Sequence, residues 1–122
     1  MVLALVLLAI AAVAPQATGL APQEVPALKA GIGPCSADFT VTDAAGKPVY
    51  LATIHTKLRY GAVSVKRMDL EVSTNADGKA RLESLPAKGK LVTYDVRREA
   101  KSGRATQDLA KACHATLQVV IK

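Results

Sequence analysis

The stretch from Phe39 to Pro86 decides the fold, and it contains Asp43-Ala-Ala-Gly-Lys-Pro-Val49 and Thr74-Asn-Ala-Asp-Gly-Lys-Ala-Arg-Leu82. Both segments place turn-forming residues between runs of alternating apolar side chains. Alternation with a period of two is typical of strands that bury one face. The stretch therefore predicts short β-strands joined by tight turns, as in a small antiparallel sandwich.

The turn residues each have a physical reason for their position. Gly46 can adopt a positive φ at little cost, and Pro48, which lacks an N–H, suits the start of an edge strand. Asp77-Gly78 between two β segments predicts a hairpin, because a type I′ turn needs positive φ at both central residues. These residues indicate a fold and carry no chemistry of their own.

The spacing of these turns resembles the motifs of the carboxypeptidase regulatory-like domain of the transthyretin-like superfamily. The first motif is matched by Asp43, Gly46, Pro48, Val49, Ala52 and Ile54. The second is matched by Thr74, Asn75, Asp77, Gly78, Ala80, Leu82, Leu85 and Pro86. The resemblance implies an all-β fold, a single immunoglobulin-like (transthyretin-like) antiparallel β-sandwich of about seven strands.

The N-terminal residues predict export. Met1 to Ala14 are almost entirely apolar, and the small residues of Ala17-Thr18-Gly19 follow. No Lys or Arg precedes the apolar run, so either the α-amine supplies the only charge or the true start lies upstream. We expect a signal peptide at 1–19, a flexible lead-in at 20–34 and the sandwich at 35–122. The mature chain is then secreted or periplasmic, without a stable membrane anchor.

The chain has two cysteines, and in an exported protein two cysteines predict one disulfide, Cys35 to Cys113. In many immunoglobulin-like sandwiches the first and last strands lie side by side and parallel. Both cysteines precede such strands, so this topology would bring them together.

Alternation also predicts the strands along the chain. Phe39 and Val41 face inward on the first strand. Arg104 to Ala112 fits either a strand or a short helix, and the resemblance favours a strand. The remaining predicted strands are 49–56, 58–65 with a bulge or bend at Gly61, 68–73, 80–82, 91–98 and 115–121.

Sixteen basic and ten acidic residues give the chain a formal charge of +6. Basic residues are interleaved with Asp and Glu, which favours an ordinary solubilising surface over a single anion-binding patch. An anionic polymer remains a possible partner. Nucleic acid is not an expected partner, because the chain is exported and no aromatic residues interleave the basic ones.

Enzymes of related fold provide two tests. Intradiol dioxygenases hold ferric iron with two tyrosines and two histidines, and this chain has Tyr50, Tyr60, Tyr94, His55 and His114 without the family's surrounding motifs. Hydroxyisourate hydrolases end in Tyr-Arg-Gly-Ser, whereas this chain ends in Val-Val-Ile-Lys. Hydrolase and phosphate-binding motifs are absent. The sequence therefore predicts no catalytic residue, no metal and no cofactor, and a chain that is not an enzyme.

Two groups of residues are candidates for ligand binding. Sugar-binding surfaces use exposed aromatic rings, and Tyr60 beside Lys57 and Arg59 is the sequence's best candidate for such a ring. A second group could hold an anion near one turn, and it consists of Arg97, Arg98, Lys101 and Arg104.

The main functional hypothesis is a non-catalytic exported module for protein interaction or structural attachment in the cell envelope, with an envelope or secreted protein as its partner. The first alternative is a module that binds carbohydrate or another anionic polymer. The second is a transthyretin-fold enzyme such as an intradiol-type dioxygenase.

Overall fold

The computed structural model describes residues 24–60, 66–87 and 91–122. The predicted signal peptide at 1–19 lies outside these residues. The described chain is all-β, as predicted, with eight strands where the sequence predicts about seven. They are β1 (Ala27–Lys29), β2 (Cys35–Asp43), β3 (Thr53–Tyr60), β4 (Lys66–Ser73), β5 (Lys79–Leu85), β6 (Leu91–Arg98), β7 (Lys101–Asp108) and β8 (His114–Ile121).

The strands form two four-stranded sheets that pack face to face. Sheet I has the order β1-β5-β2-β8, and sheet II has the order β4-β3-β6-β7. All neighbours are antiparallel except β1–β5 and β2–β8, which run parallel. The expected side-by-side, parallel arrangement of a first and a last strand is thus confirmed for β2 and β8, which pair from Ser36↔His114 to Asp43↔Ile121.

The core lies between the sheets and follows the alternation in the sequence. Phe39 of β2 meets Tyr94 of β6 edge to face, with ring centroids 4.8 Å apart. Burying a large apolar side chain stabilises the fold by about 1.5–3 kcal/mol. The largest apolar side chains that are fully buried are Tyr94, Phe39, Ile54, Leu58, Leu82, Leu85, Ile121, Val41 and Val96.

Two predicted strands are in fact one. The sequence predicts separate strands at 49–56 and 58–65, but β3 runs without a break from Thr53 to Tyr60. The chain before β3 is a turn in which Leu51 has a φ of 60°. Apolar residues at consecutive positions, Val49 to Leu51, extend the apparent strand too far toward the N-terminus. Residues 61–65, including the predicted bend at Gly61, lie outside the described part of the chain.

The Asp77-Gly78 turn is not a hairpin turn. β4 pairs with β3 in sheet II, whereas β5 pairs with β1 and β2 in sheet I, so this turn carries the chain between the sheets. Gly78 has a φ of 74° and Asp77 has no positive φ, so the turn is not type I′. The Asn75 side-chain oxygen accepts hydrogen bonds from the backbone N–H groups of Asp77 and Lys79, which closes the turn locally.

The turn after β2 is held by its first residue, Asp43. One carboxylate oxygen of Asp43 accepts hydrogen bonds from the backbone N–H groups of Ala45 at 2.8 Å and Lys47 at 3.0 Å. The Lys47 N–H foremost, with the nearby Lys101 ammonium, holds the pKa of Asp43 below its ordinary value. Gly46 has a φ of 83°, as its position in the sequence predicts.

The first strand lies inside the stretch 20–34 that the sequence assigns to a flexible lead-in. β1 pairs with β5 from Ala27↔Arg81 to Lys29↔Glu83. Ala30 is buried in the core, and Leu28 packs against it. The sheet therefore begins earlier in the chain than the turn-rich composition indicates.

The predicted disulfide is present between Cys35 at the start of β2 and Cys113 just before β8. Beside it lies the buried amide of Gln107 on β7. This amide donates to the carbonyl of Ser36 at 3.0 Å and to that of Ala112 at 2.7 Å, and its oxygen accepts the Tyr94 hydroxyl at 2.6 Å. Burial raises the pKa of Tyr94, so the ring stays neutral and remains a donor. We call this group the Gln107 clamp.

Removing the disulfide is expected to destabilise the fold. The cysteines are separated by 78 positions, and a closed loop of that size stabilises by about 4 kcal/mol in the chain-entropy model. Guanidinium unfolding of a Cys35→Ser/Cys113→Ser variant should show this loss against the oxidised wild type. Equal midpoints for the two proteins would contradict the role assigned to the bridge.

Tyr94→Phe should destabilise the protein by about 1–3 kcal/mol, because it leaves the buried oxygen of Gln107 without a donor. Tyr60→Phe is the matched control, since Tyr60 is only half-buried, and we expect a change within about 0.5 kcal/mol. Urea unfolding of both variants measures the difference. Equal free energies of unfolding for the two variants would show that Tyr94 stabilises the fold only through the packing of its ring, and not through its hydrogen bond to Gln107.

Candidate functional site

The outer face of sheet II is polar and is built by alternation. Inward residues of its strands fill the core, so the residues between them point to solvent. Strand register then sets which polar residues lie side by side. His55 on β3 is directly opposite Glu71 on β4 and Asp95 on β6, and Thr53 is directly opposite Arg97 on β6. We call this surface the sheet II face.

A shallow, open depression of about 480 Å³ lies on the sheet II face. It is lined by Thr53, His55, Glu71, Asp95 and Arg97. The lining therefore combines a hydroxyl, an imidazole, two carboxylates and a guanidinium. Such a set can both donate hydrogen bonds to a ligand and accept them from it.

The charges of the depression are partly balanced by its neighbours. Arg104 on β7 donates to Asp95 at 3.0 Å, and the two residues are directly opposite each other in register. His55 lies 4.0 Å from the carboxylate of Asp69. Among the described residues Arg97 has no ion-pair partner, so its guanidinium is the cation available to a ligand in the depression.

The residues of β3 that the sequence predicts to bind a ligand are spread along the strand. Lys57 and Arg59 point outward on the sheet II face, beyond His55 and opposite Asp69 and Arg67. Tyr60 is half-buried at the far end of β3, opposite Lys66. Its ring is therefore not the most exposed one in the protein.

The four basic residues near the β6–β7 connection have different surroundings. Arg97 lines the depression. Arg98 donates to the carbonyl of Tyr50 at 2.9 Å and pairs with Glu99 at 3.1 Å. The charge of Lys101 lowers the pKa of Asp43, and Arg104 forms an ion pair with Asp95. The turn between the strands is Glu99–Ala100, so Lys101 to Gly103 belong to β7.

No local sequence pattern groups Thr53, His55, Glu71 and Asp95. They come from three strands, and only the register brings them together. Tyr50, which is 54% exposed, is more exposed than the predicted sugar-binding ring of Tyr60. The predicted strand 49–56 includes Tyr50, but β3 begins only at Thr53, so Tyr50 lies in the turn before it.

The tyrosines do not offer the iron ligands that an intradiol dioxygenase needs. Tyr94 is fully buried, and its hydroxyl is engaged by Gln107. Tyr50 lies in the turn before β3, and Tyr60 lies at the other end of that strand. The three phenol groups thus occupy three separate places.

The histidines are equally far from forming a pair. His55 is on the sheet II face, whereas His114 belongs to sheet I, where its Nδ1 is 2.8 Å from the Ser36 hydroxyl. Among the described residues no group of three or more His, Cys, Asp and Glu side chains is arranged to hold a metal ion. The three tyrosines and the two histidines are too dispersed to form the ferric centre of an intradiol dioxygenase.

Comparisons with known proteins show similarity in structure only. No family model matches the chain, and no curated protein matches it. The dioxygenase domain of a dioxygenase carbohydrate-binding protein fusion from Streptomyces sp. SirexAA-E matches with 12% identity and a TM-score of 0.50, over 83% of this chain and 90% of that one. Chlorocatechol 1,2-dioxygenase from Pseudomonas putida matches with 13% identity and a TM-score of 0.50, over 84% and 68%.

Catechol 1,2-dioxygenase from Pseudomonas arvilla C-1 also matches, with 16% identity and a TM-score of 0.49, over 73% of this chain. The chain spans 42% of the length of that enzyme. Within the described residues no helix is long and apolar enough to cross a membrane.

These neighbours overturn the main functional hypothesis, a non-catalytic module for interaction or attachment. The two solved structures that match with a TM-score of 0.50 are both dioxygenases, and they favour the second alternative, a transthyretin-fold enzyme such as an intradiol-type dioxygenase. The reason for the error is physical: the turn motifs of the sequence report a sandwich and do not distinguish one sandwich from another. At 12 and 13% identity the similarity shows the fold, and the chemistry rests on this chain's own residues.

The donor geometry gives a direct prediction about metal. After incubation with ferric iron and desalting, the purified protein should retain well under one iron per chain and show no tyrosinate-to-iron absorption in the visible range. The Pseudomonas putida chlorocatechol dioxygenase, treated in parallel, is the control. Stoichiometric iron with that absorption would contradict the donor geometry and would support a dioxygenase.

Proposed function

We propose that this chain is a ligand-binding domain on a dioxygenase-type sandwich, and that the depression on the sheet II face binds an acidic carbohydrate. The observation that carries the proposal is the combination of Arg97, which has no ion-pair partner among the described residues, with the hydroxyl, imidazole and carboxylate groups beside it. A sugar that bears a carboxylate presents the complementary groups, one anion and several hydroxyls.

The electrostatics of the depression support a sugar with a single negative charge per unit. Arg104 neutralises Asp95, so the ligand's carboxylate would pair with Arg97. Glu71 and Asp95 can accept hydrogen bonds from sugar hydroxyls, and His55 and Thr53 can donate to them. Because the depression is open and shallow, it suits a carbohydrate that binds at the surface better than a small molecule that would have to be enclosed.

The cellular setting of the proposed function is extracellular or periplasmic. The disulfide is compatible with an oxidising compartment. The apolar N-terminal run supports export. A relation to the carboxypeptidase regulatory-like family is supported by the turn motifs alone. An acidic polysaccharide of the cell surface or surroundings would be accessible to a protein in this location.

Catalysis is the second candidate, and the dioxygenase neighbours are the observation that favours it. A ring-cleaving reaction would need the iron centre whose ligands are dispersed in this chain. In the measurement described above, stoichiometric iron would favour catalysis, and its absence would contradict a ring-cleaving reaction of this kind.

Replacement of Arg97 tests the proposal. Tetragalacturonate, the chosen probe, should bind the wild type, and Arg97→Gln should weaken that binding about 10- to 100-fold, as expected for a charge-assisted hydrogen bond. Isothermal titration calorimetry at low and high salt measures both proteins, and wild-type affinity should fall with salt. Arg67→Gln is the matched control, because Arg67 is exposed on edge strand β4 away from the depression.

Two results would contradict the proposed function. One is wild-type affinity for tetragalacturonate no greater than that for the neutral cellotetraose. The other is an equal loss of affinity in Arg97→Gln and Arg67→Gln, which would indicate general attraction to a basic protein.

A further inference from the structure

The turn between β2 and β3 exposes two large side chains side by side. Tyr50 is 54% exposed and Leu51 is 47% exposed. Leu51 also has a φ of 60°, a backbone conformation that is unfavourable for a residue with a branched side chain. Conformations of this kind persist only where the surrounding structure enforces them, and they are frequent at ligand sites.

Hydrogen bonds from Thr74 hold the backbone of the turn in this conformation. Its hydroxyl, which is fully buried, donates to the carbonyl of Val49 at 2.6 Å and accepts from the N–H of Ala52 at 2.9 Å. Its backbone carbonyl accepts from the N–H of Leu51 at 3.1 Å. The backbone on both sides of Tyr50 and Leu51 is therefore hydrogen-bonded to Thr74, which holds the two exposed side chains in place.

Tyr50 lies at the end of sheet II that holds part of the depression. Its carbonyl accepts from the side chain of Arg98. Arg98 follows Arg97 on β6 and by alternation projects to the other face of that strand, so this bond fixes Tyr50 at the end of the strand, beyond the depression. Thr53, which lines the depression, follows Tyr50 by three positions, so their backbones are within about 11 Å. Consecutive units of one sugar chain can span this separation.

We propose that Tyr50 forms a second subsite, on which a neighbouring unit of the same acidic sugar chain stacks. The inference rests on the proposed function and adds that the ligand is an oligomer. An aromatic ring offers an apolar face to the C–H groups of a sugar, and the phenol hydroxyl can bond its oxygens. A rigid ring loses little conformational entropy on binding.

The surroundings of Tyr50 favour a sugar over an apolar protein partner. The exposed apolar patch is small, two side chains next to the charged Arg98 and Glu99. Surfaces that dock apolar protein partners are larger and contiguous. A single ring bordered by charged hydrogen-bonding groups matches one polar sugar unit.

Chain-length dependence tests the subsite. Calorimetry with galacturonate and tetragalacturonate should show tighter binding of the tetramer to the wild type. Tyr50→Ala should weaken tetramer binding about tenfold and leave monomer binding unchanged. Tyr50→Phe should retain most of the affinity, because the ring face remains. Leu91→Ala is the control, since Leu91 is 67% exposed at the other end of β6.

The outcomes separate the subsite from the proposed function. If Tyr50→Ala binds the tetramer as tightly as the wild type while Arg97→Gln does not, the subsite is wrong and the proposed function stands. Equal affinities of the wild type for monomer and tetramer would overturn the subsite in the same way. If the wild type binds neither probe, the proposed function fails and the subsite fails with it. A protein captured through Tyr50, with tetramer affinity unchanged by Tyr50→Ala, would assign the turn to protein recognition.

Discussion

The fold depends on the contact between the two sheets at the buried amide of Gln107. This one side chain joins β7 to the Tyr94 hydroxyl of β6, to the backbone of Ser36 on β2 and to the chain before β8. The disulfide from Cys35 to Cys113 closes the same region covalently. A buried amide without partners is costly, and these partners come together only when both sheets are in register. The clamp therefore stabilises one arrangement of the sandwich against others that bury similar apolar area.

The clamp also positions the sheet II face. Tyr94 points into the core, so the next residue, Asp95, must point outward, and its partner Arg104 lies on β7, the strand that carries Gln107. Successive residues of a strand point to opposite faces. The side chains buried in the core therefore also determine where the outward-facing side chains lie. Pairing of β3 with β6 then places His55 opposite Asp95. A depression of polar side chains thus rests on a buried and covalently closed support, which is the arrangement that precise ligand binding requires.

Local patterns in the sequence predict most of the strands, and the cysteine count predicts the disulfide, whereas long-range register decides the rest. β6 is predicted with its observed bounds because apolar and polar residues alternate from Val92 to Arg97. The Asp77-Gly78 turn is misread, because the same turn residues serve a hairpin and a crossing between sheets. His55 looks like an isolated histidine in the sequence, and only its alignment with Glu71 and Asp95 makes it part of a site. No local pattern contains that alignment, which explains why the site escaped sequence analysis while the fold did not.

The similarity to dioxygenases is one of fold, and the tyrosines and histidines that an iron centre would need are dispersed in this chain. The central claim is that the depression on the sheet II face binds the acidic sugar. A titration of ¹⁵N-labelled protein with tetragalacturonate, followed by two-dimensional NMR, tests it most directly. The account predicts progressive shifts of the amide signals of Thr53, His55 and Arg97, with those of Thr40 and Thr116 on the outer face of sheet I unmoved. Shifts concentrated on sheet I, or none at saturating ligand, would contradict it.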